Sequence, residues 1–329
     1  SPQYFDPCSV TSVARTTGAN AAALRALCRD AGEIGGLGGA VDTYVQTPGT
    51  QLSTTLSGNT SAKPETADTI TFGVVFSEPF GVDRLRASLD YYSIKLKDPL
   101  IQTDANLYVA DCYNYYGNNP MYDPNYKNCQ GVFRSGDILG IDNPDDPDGF
   151  FPTVNGGEYK TDGIDLQVDY AFDLGPGKLQ TQLYMNYLLS WKQQAGTQFP
   201  SQDFAGTVSF FGAGDGLGGS YPDIKANLLL RYSLSKFDFD VRARYIDSME
   251  NRSAVLYPGE TSFTGVPSIT YWDVGAAWHY NDSVSVRLGL NNAFDKQPPV
   301  YAPNVQSGTD PSLYDIIGRR AFAQVNMKF

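Results

Sequence analysis

From Thr69 to the end of the chain, apolar side chains return at every second position in segments separated by turn residues. Ile70, Phe72, Val74 and Phe76 open the series, followed by Leu85, Ala87, Leu89 and Tyr91, and by Ile164, Leu166, Val168, Tyr170 and Phe172. Leu179, Leu183, Met185, Tyr187, Leu189 and Trp191 continue it, then Ile224, Ala226, Leu228, Leu230 and Tyr232. Phe237, Phe239, Val241, Ala243 and Tyr245 alternate with Asp238, Asp240, Arg242 and Arg244; Trp272, Val274, Ala276 and Trp278 alternate with Asp273, Gly275 and His279. The last two segments carry Val284, Val286, Leu288 and Leu290, then Ala321, Ala323, Val325, Met327 and Phe329, with Phe322 breaking the pattern. A period of two, one face apolar and the other polar, predicts about nine successive β-strands.

Alternation alone does not say which face is wet, so the connections decide. Glu78 to Asp83, Gly175 to Gly177, Ser235 to Lys236 and Asn281 to Asp282 are short turns. The alternate connections are long: Asp98 to Gly157, Gln193 to Ser220, Ser253 to Pro267 and Lys296 to Ile317. Short turns at one edge and long loops at the other are the pattern of a membrane-spanning barrel whose apolar face meets lipid. Tyr91, Trp191, Tyr232, Tyr245, Trp272 and Tyr280, at the ends of the apolar rows, then read as interfacial girdles. The competing reading is strand-end packing in a soluble sandwich.

Residues 1–68 lack this period and read as one long structured loop, with 69–329 as the strand region. Within the loop, Asn20 to Ala31 predicts a short helix with Asn20 as N-cap, Gly32 as its stop, and Leu24, Leu27 and Cys28 on one face. Four cysteines, Cys8, Cys28, Cys112 and Cys129, allow three pairings. The economical one joins Cys8 to Cys28 and Cys112 to Cys129, each worth about 3 kcal/mol on a chain-entropy account, and it implies an oxidising compartment. The chain has no C-x-x-C pair and a single histidine, a poor basis for zinc.

Composition fits this picture. Only 41% of the 329 residues are hydrophobic and no run of 18 apolar residues occurs, so no helical span is expected. A formal charge of -12 leaves no basic stripe for a nucleic-acid partner.

The chemistry-bearing candidates lie mostly in the longest loop. Between Cys112 and Cys129 stand Tyr113, Tyr115, Tyr116, Tyr122 and Tyr126, flat rings with polar tips suited to stacking on a polyhydroxylated ligand. The alternative is that they pack the loop on itself. Asp142, Asp145, Asp146 and Asp148 offer hard oxygens at short spacing, as calcium needs, but without EF-hand spacing; the other reading is a solvated acidic turn. No other cofactor is indicated. His279 is the lone histidine, on the polar face near a turn, so no catalytic constellation is expected. Gly214 to Gly219 matches G-x-G-x-x-G by letter but lies between strands of a meander with no helix after it. Lys225, Arg231, Asp238, Asp240, Arg242, Arg244, Arg287 and Arg320 make a charged wall on the polar faces, expected to pair with one another and with a plug, the second reading being a place on a transport path.

Several short stretches occur together and in order: Lys63-Pro64-Glu65-Thr66 before the first strand, Asp90-Tyr91-Tyr92-Ser93-Ile94, Lys160-Thr161-Asp162-Gly163-Ile164-Asp165, Asn292-Ala293-Phe294-Asp295, Gly318-Arg319, and the terminal Phe329. In these the chain resembles TonB-dependent outer-membrane receptors over residues 63–329. The resemblance implies an all-β fold: an antiparallel transmembrane β-barrel, of which this would be the C-terminal segment of about nine strands out of 22, with long extracellular loops. It also implies active uptake of a scarce ligand, with no chemistry done on it, in the bacterial outer membrane. The partners would be outer-membrane lipid, an extracellular small molecule or glycan, and the TonB complex acting through a plug not found in this chain. The aromatic, acidic loop favours a glycan or other neutral ligand over an anionic siderophore. The other readings are a passive porin or adhesin-like barrel and a secreted β-rich carbohydrate-binding protein. The opening Ser-Pro-Gln-Tyr-Phe-Asp-Pro-Cys carries no export signal, so residues upstream of Ser1 are expected.

Overall fold

The computed structural model describes residues 6–30, 36–46, 52–102, 105–135, 138–142, 149–194, 200–208, 219–252, 263–301 and 308–328. The alternating segments form nine long strands: β1 (Thr66–Ser77), β2 (Leu85–Lys97), β3 (Glu158–Leu174), β4 (Gly177–Gln194), β5 (Ile224–Leu234), β6 (Phe237–Ile246), β7 (Ile269–His279), β8 (Val284–Asn291) and β9 (Arg320–Met327). They lie in one sheet in sequence order, each antiparallel to the next, and the short strand Gln202–Asp203 adds beside β4. The sheet is not closed: β1 and β9 are its two edges.

Register carries the alternation across strands. Val74, Leu89, Leu166, Met185, Ala226 and Tyr245 stand in one cross-strand row. Another row runs Leu85, Tyr170, Thr181, Leu230, Val241, Val274, Leu290, Ala321. Among the described residues nothing packs on this face: Ile70 is 68% exposed, Phe72 69% and Leu288 57%. An apolar surface spanning nine strands far exceeds the few hundred Å² that a water-soluble monomer shows, whereas in hydrocarbon it costs nothing. The opposite face carries the ion pairs Arg244–Asp273 at 3.0 Å and Arg287–Asp240 at 2.8 Å, and His279 Nε2 lies within hydrogen-bond distance of Asp238, at 2.9 Å. The wall charges thus pair in part with one another, as expected.

Phe322, the exception in the last strand, points to the polar face, where it lies in register with Gly289. A Cβ on Gly289 would stand 2.4 Å from the Phe322 ring. The aromatic ring covers the space the missing side chain leaves, a device that helps a sheet coil. Tyr92 covers Gly163 in the same way, 2.2 Å from the position a Cβ would take.

One girdle assignment is corrected. The β3–β4 ladder has a register shift between Asp162 and Gly163, opposite Leu189, which has no partner in the ladder. A bulge of one residue reverses the facing of everything beyond it. Trp191 therefore leaves the apolar face and stacks on Tyr221 with ring centroids 4.9 Å apart. The period-two count, carried straight through Leu189, missed this.

The four hairpin turns sit at one edge of the sheet and the four long connections at the other. The first long connection is more than a loop. Together with residues before β1 it builds a small domain: α1 (Ala21–Asp30), as predicted, α2 (Ala105–Cys112), the short helices Val13–Thr16 and Lys127–Gln130, and the 3-10 turn Gly38–Asp42. Leu56–Ser57 pairs in parallel with Phe151–Asn155, and Val132–Ser135 forms a hairpin with Ile138–Ile141. Leu24, Leu27, Val41, Val109, Val132, Leu139, Ile141 and Phe151 form its core around both disulfides, Cys8–Cys28 and Cys112–Cys129.

Candidate functional site

The loop edge carries two structured regions. The first is the disulfide-tied domain. Its two chain segments are locked by Asp6 and Arg134, 128 residues apart in sequence and both almost fully buried, with N and O at 2.6 Å. The Tyr44 hydroxyl donates to Asp6 at 2.9 Å, and the Arg134 guanidinium lies 4.9 Å from the centre of the Tyr44 ring. Burial works against the Arg134 charge, but Asp6 outweighs it and holds the guanidinium above its ordinary value. A second buried carboxylate, Asp111, accepts from Tyr126 at 2.6 Å, Asn118 at 2.7 Å and Asn128 at 2.7 Å, which fixes the tyrosine-rich stretch to α2. Asn119 ties the same stretch to Cys112 O at 2.8 Å.

The five tyrosines do not share one environment. Tyr113 is 3% exposed and belongs to the domain core, where burial pushes its hydroxyl up to about 12. It packs the domain on itself and presents no ring to solvent, which corrects its place in the candidate ligand set. Tyr115, Tyr122 and Tyr126 lie half-buried against that core, and Tyr116 is half-exposed. Burial, with the hydrogen bond to Asp111, pushes the Tyr126 hydroxyl up to about 12. Of the acidic run, Asp142 is exposed; Asp145, Asp146 and Asp148 lie outside the described residues. No cluster of three or more His, Cys, Asp or Glu with metal-binding geometry occurs among the described residues.

The second region knits the other three long connections together over the polar face. Val208, Ile246, Met249, Val266 and Ile269 pack with Tyr271, Tyr301 and Tyr314. Asp310, fully buried, accepts from Ser220 at 2.9 Å and Ser312 at 2.6 Å, joining two loops. Burial pushes the Tyr301 hydroxyl up to about 12. Arg244 forks onto Asp273 with two bonds of 3.0 Å and reaches Asp315 at 3.5 Å, and Arg320 binds Asp315 at 3.1 Å. Arg252 lies over Phe204 at 4.4 Å and over Tyr221 at 5.5 Å, beside Trp191. Tyr271, Tyr301, Tyr314 and Arg252 were not singled out from sequence: they come from β7 and from two of the long connections and share no spacing.

The motifs near the end of the chain have local physical roles in this region. Asn292, fully buried, brackets a turn by donating to Lys296 O and accepting from Lys296 N. Its own backbone N–H donates to Asp273 at 2.9 Å. Asp295 accepts from the Arg319 N–H at 2.9 Å, so the two ends of the last connection are held together. Gly318, at φ 81, takes the left-handed turn that leads into β9.

An antiparallel meander with its apolar face bare, hairpins at one edge and folded loops at the other is a membrane-spanning β-barrel wall. The model of the family described as TonB dependent receptor-like, beta-barrel, matches residues 29–293, and the chain belongs to that family. Among solved structures, it is similar to the siderophore receptor PirA from Acinetobacter baumannii, at 15% identity and TM-score 0.50, over 83% of this chain and 33% of that one. It is also similar to a mutant of the ferric enterobactin receptor PfeA from Pseudomonas aeruginosa, in complex with enterobactin, at 13% identity and TM-score 0.51, again over 83% and 33%. The chain thus spans 33% of the length of these structures. A sequence search of curated proteins finds no match.

Proposed function

We propose that this chain forms part of the wall and the ligand-capturing loops of a TonB-dependent importer in the bacterial outer membrane. The observation that carries the reading is the two-edged build: four tight turns at one edge and four long connections, gathered around two buried cores, at the other. Family membership supports uptake driven by a TonB complex through a plug elsewhere in the protein, and the reading assigns no chemical step to the ligand. Uptake of the ligand into cells carrying the whole protein should collapse when the proton-motive force is dissipated. Uptake that is unchanged would instead assign a passive barrel.

Tyr115, Tyr116, Tyr122 and Tyr126 form the proposed capturing surface, and a neutral, hydroxyl-rich ligand such as a glycan fits them best. The loop between Asp98 and Gly149 holds two cations, Lys127 and Arg134, and Arg134 is committed to Asp6. That leaves little to bind an anionic siderophore, although PirA is a siderophore receptor and PfeA binds enterobactin. Calorimetric titration with neutral oligosaccharides and with a ferric catecholate separates the two. Binding of the catecholate alone would overturn the glycan assignment.

A further inference from the structure

Three lysines stand side by side on the apolar face at its loop edge. Lys95 of β2 is in register with Lys160 of β3, and Lys160 with Lys192 of β4, so they occupy adjacent strands about 5 Å apart. Lys192 reaches this face through the bulge at Leu189. That bulge brings Ser190 opposite Asp162, where its hydroxyl donates to the carboxylate at 2.7 Å. Without it, Trp191 would stand in the row and Lys192 would face the other way.

Like charges directly opposite in a ladder repel, and a chain of net charge -12 has few cations to place this way. Nearby carboxylates absorb part of the charge: Lys95 pairs with Glu158, and Lys160 lies 3.3 Å from Asp162. Asp68, in register with Lys95, pairs with Lys97 at 2.7 Å instead. Asp203 is in register with Lys192, but one of its oxygens accepts from the backbone N–H groups of Trp191 and Ala205. Lys192 has no ion pair among the described residues.

The position of the row identifies what would complete it. Immediately below it lies Ile70, Ser93, Asp162 and Ser190, and below that the first largely apolar row, Phe72, Tyr91, Ile164 and Tyr187. The lysines are four residues up from the latter, roughly 13 Å along the strands, which a tilt of about 40° reduces to roughly 10 Å of height. Lysine stems cover part of that distance and place their ammonium groups in a headgroup layer. We propose that Lys95, Lys160 and Lys192 form a docking surface for the phosphate groups of an anionic lipid headgroup; the Ser93 and Tyr91 hydroxyls below it are committed to the Asp162 carboxylate. The inference rests on the reading that the apolar face meets the outer membrane.

The test uses the whole protein in phosphatidylcholine nanodiscs, titrated with a diphosphorylated glycolipid and with its dephosphorylated form. The wild-type protein should bind the phosphorylated lipid preferentially. Affinity should fall roughly fivefold per lysine removed, and on the order of a hundredfold in the Lys95→Gln/Lys160→Gln/Lys192→Gln variant, while Lys225→Gln on the polar face stays like wild type. The single Lys192→Gln variant breaks no ion pair and serves if the triple variant does not fold. Equal binding of both lipids, or of wild type and variant, would overturn the proposal. Displacement of the lipid by millimolar inorganic phosphate would overturn it too, assigning the row to free anions. A wild-type protein that stays in aqueous solution and does not enter the nanodisc would instead remove the membrane reading itself.

Discussion

Arg134 shows how a single side chain can decide whether a domain holds together. Replacing it by methionine leaves the Asp6 carboxylate buried with no cation, a loss of roughly 3–5 kcal/mol when one partner of a buried pair is removed. Chemical denaturation followed by a probe in the loop domain should show that loss for Arg134→Met. The double variant Asp6→Leu/Arg134→Met should recover most of it. A single variant within about 1 kcal/mol of wild type would mean that the Tyr44 hydroxyl and the Cys8 N–H, which also donate to the Asp6 carboxylate, suffice alone. Tyr113 makes a pH-dependent prediction. Burial raises its folded-state pKa to about 12, above the unfolded value of about 10. Its contribution to stability is therefore complete below pH ~10 and is lost as pH rises from there to ~12. Phenolate absorbance should show one class of tyrosine titrating late, together with loosening of the loop domain over that window.

At the scale of the strand, facing governs the effect of a substitution. Val241 stands mid-row on the apolar face, in register with Leu230 and Val274. Val241→Arg should destabilise the barrel by about 2–4 kcal/mol in a bilayer, whereas Gln182→Arg on the polar face should change little. Refolding equilibria in lipid vesicles report both, and equal costs would refute the assignment of faces. Gly289 tests the aromatic cover: a methyl there meets the Phe322 ring at 2.4 Å and Val274 O at 3.0 Å. Gly289→Ala should cost about 1–3 kcal/mol. Adding Phe322→Ala should return part of that, since the ring can be removed but the carbonyl cannot.

At the scale of the whole molecule, two folding units share one chain. The sheet is held by ladders between sequence neighbours, while the loop domain depends on Cys8–Cys28, Cys112–Cys129 and contacts between distant segments. Reduction of both disulfides should therefore weaken ligand capture and leave the barrel folded, as read by binding and by resistance to unfolding in detergent. A barrel that melts with them would show that the two units are coupled. The strands, their order and their apolar face were legible in the sequence because each strand is a local pattern of period two and each pairs with the next. α1 was legible for a similar reason, since cap, stop and apolar face lie within a dozen residues. The economical disulfide pairing was likewise readable, because each bridge closes a short loop. What the tertiary structure alone decided is everything that depends on one residue more or less, or on meetings between distant segments. The bulge at Leu189 turned Trp191 inward and brought Lys192 beside Lys160, a change no alternation count registers. The burial of Tyr113, the Asp6–Arg134 pair and the gathering of Tyr271, Tyr301 and Tyr314 come from chain segments with no spacing in common. Period and turn chemistry are written along the chain; contacts between loops exist only once the chain has folded.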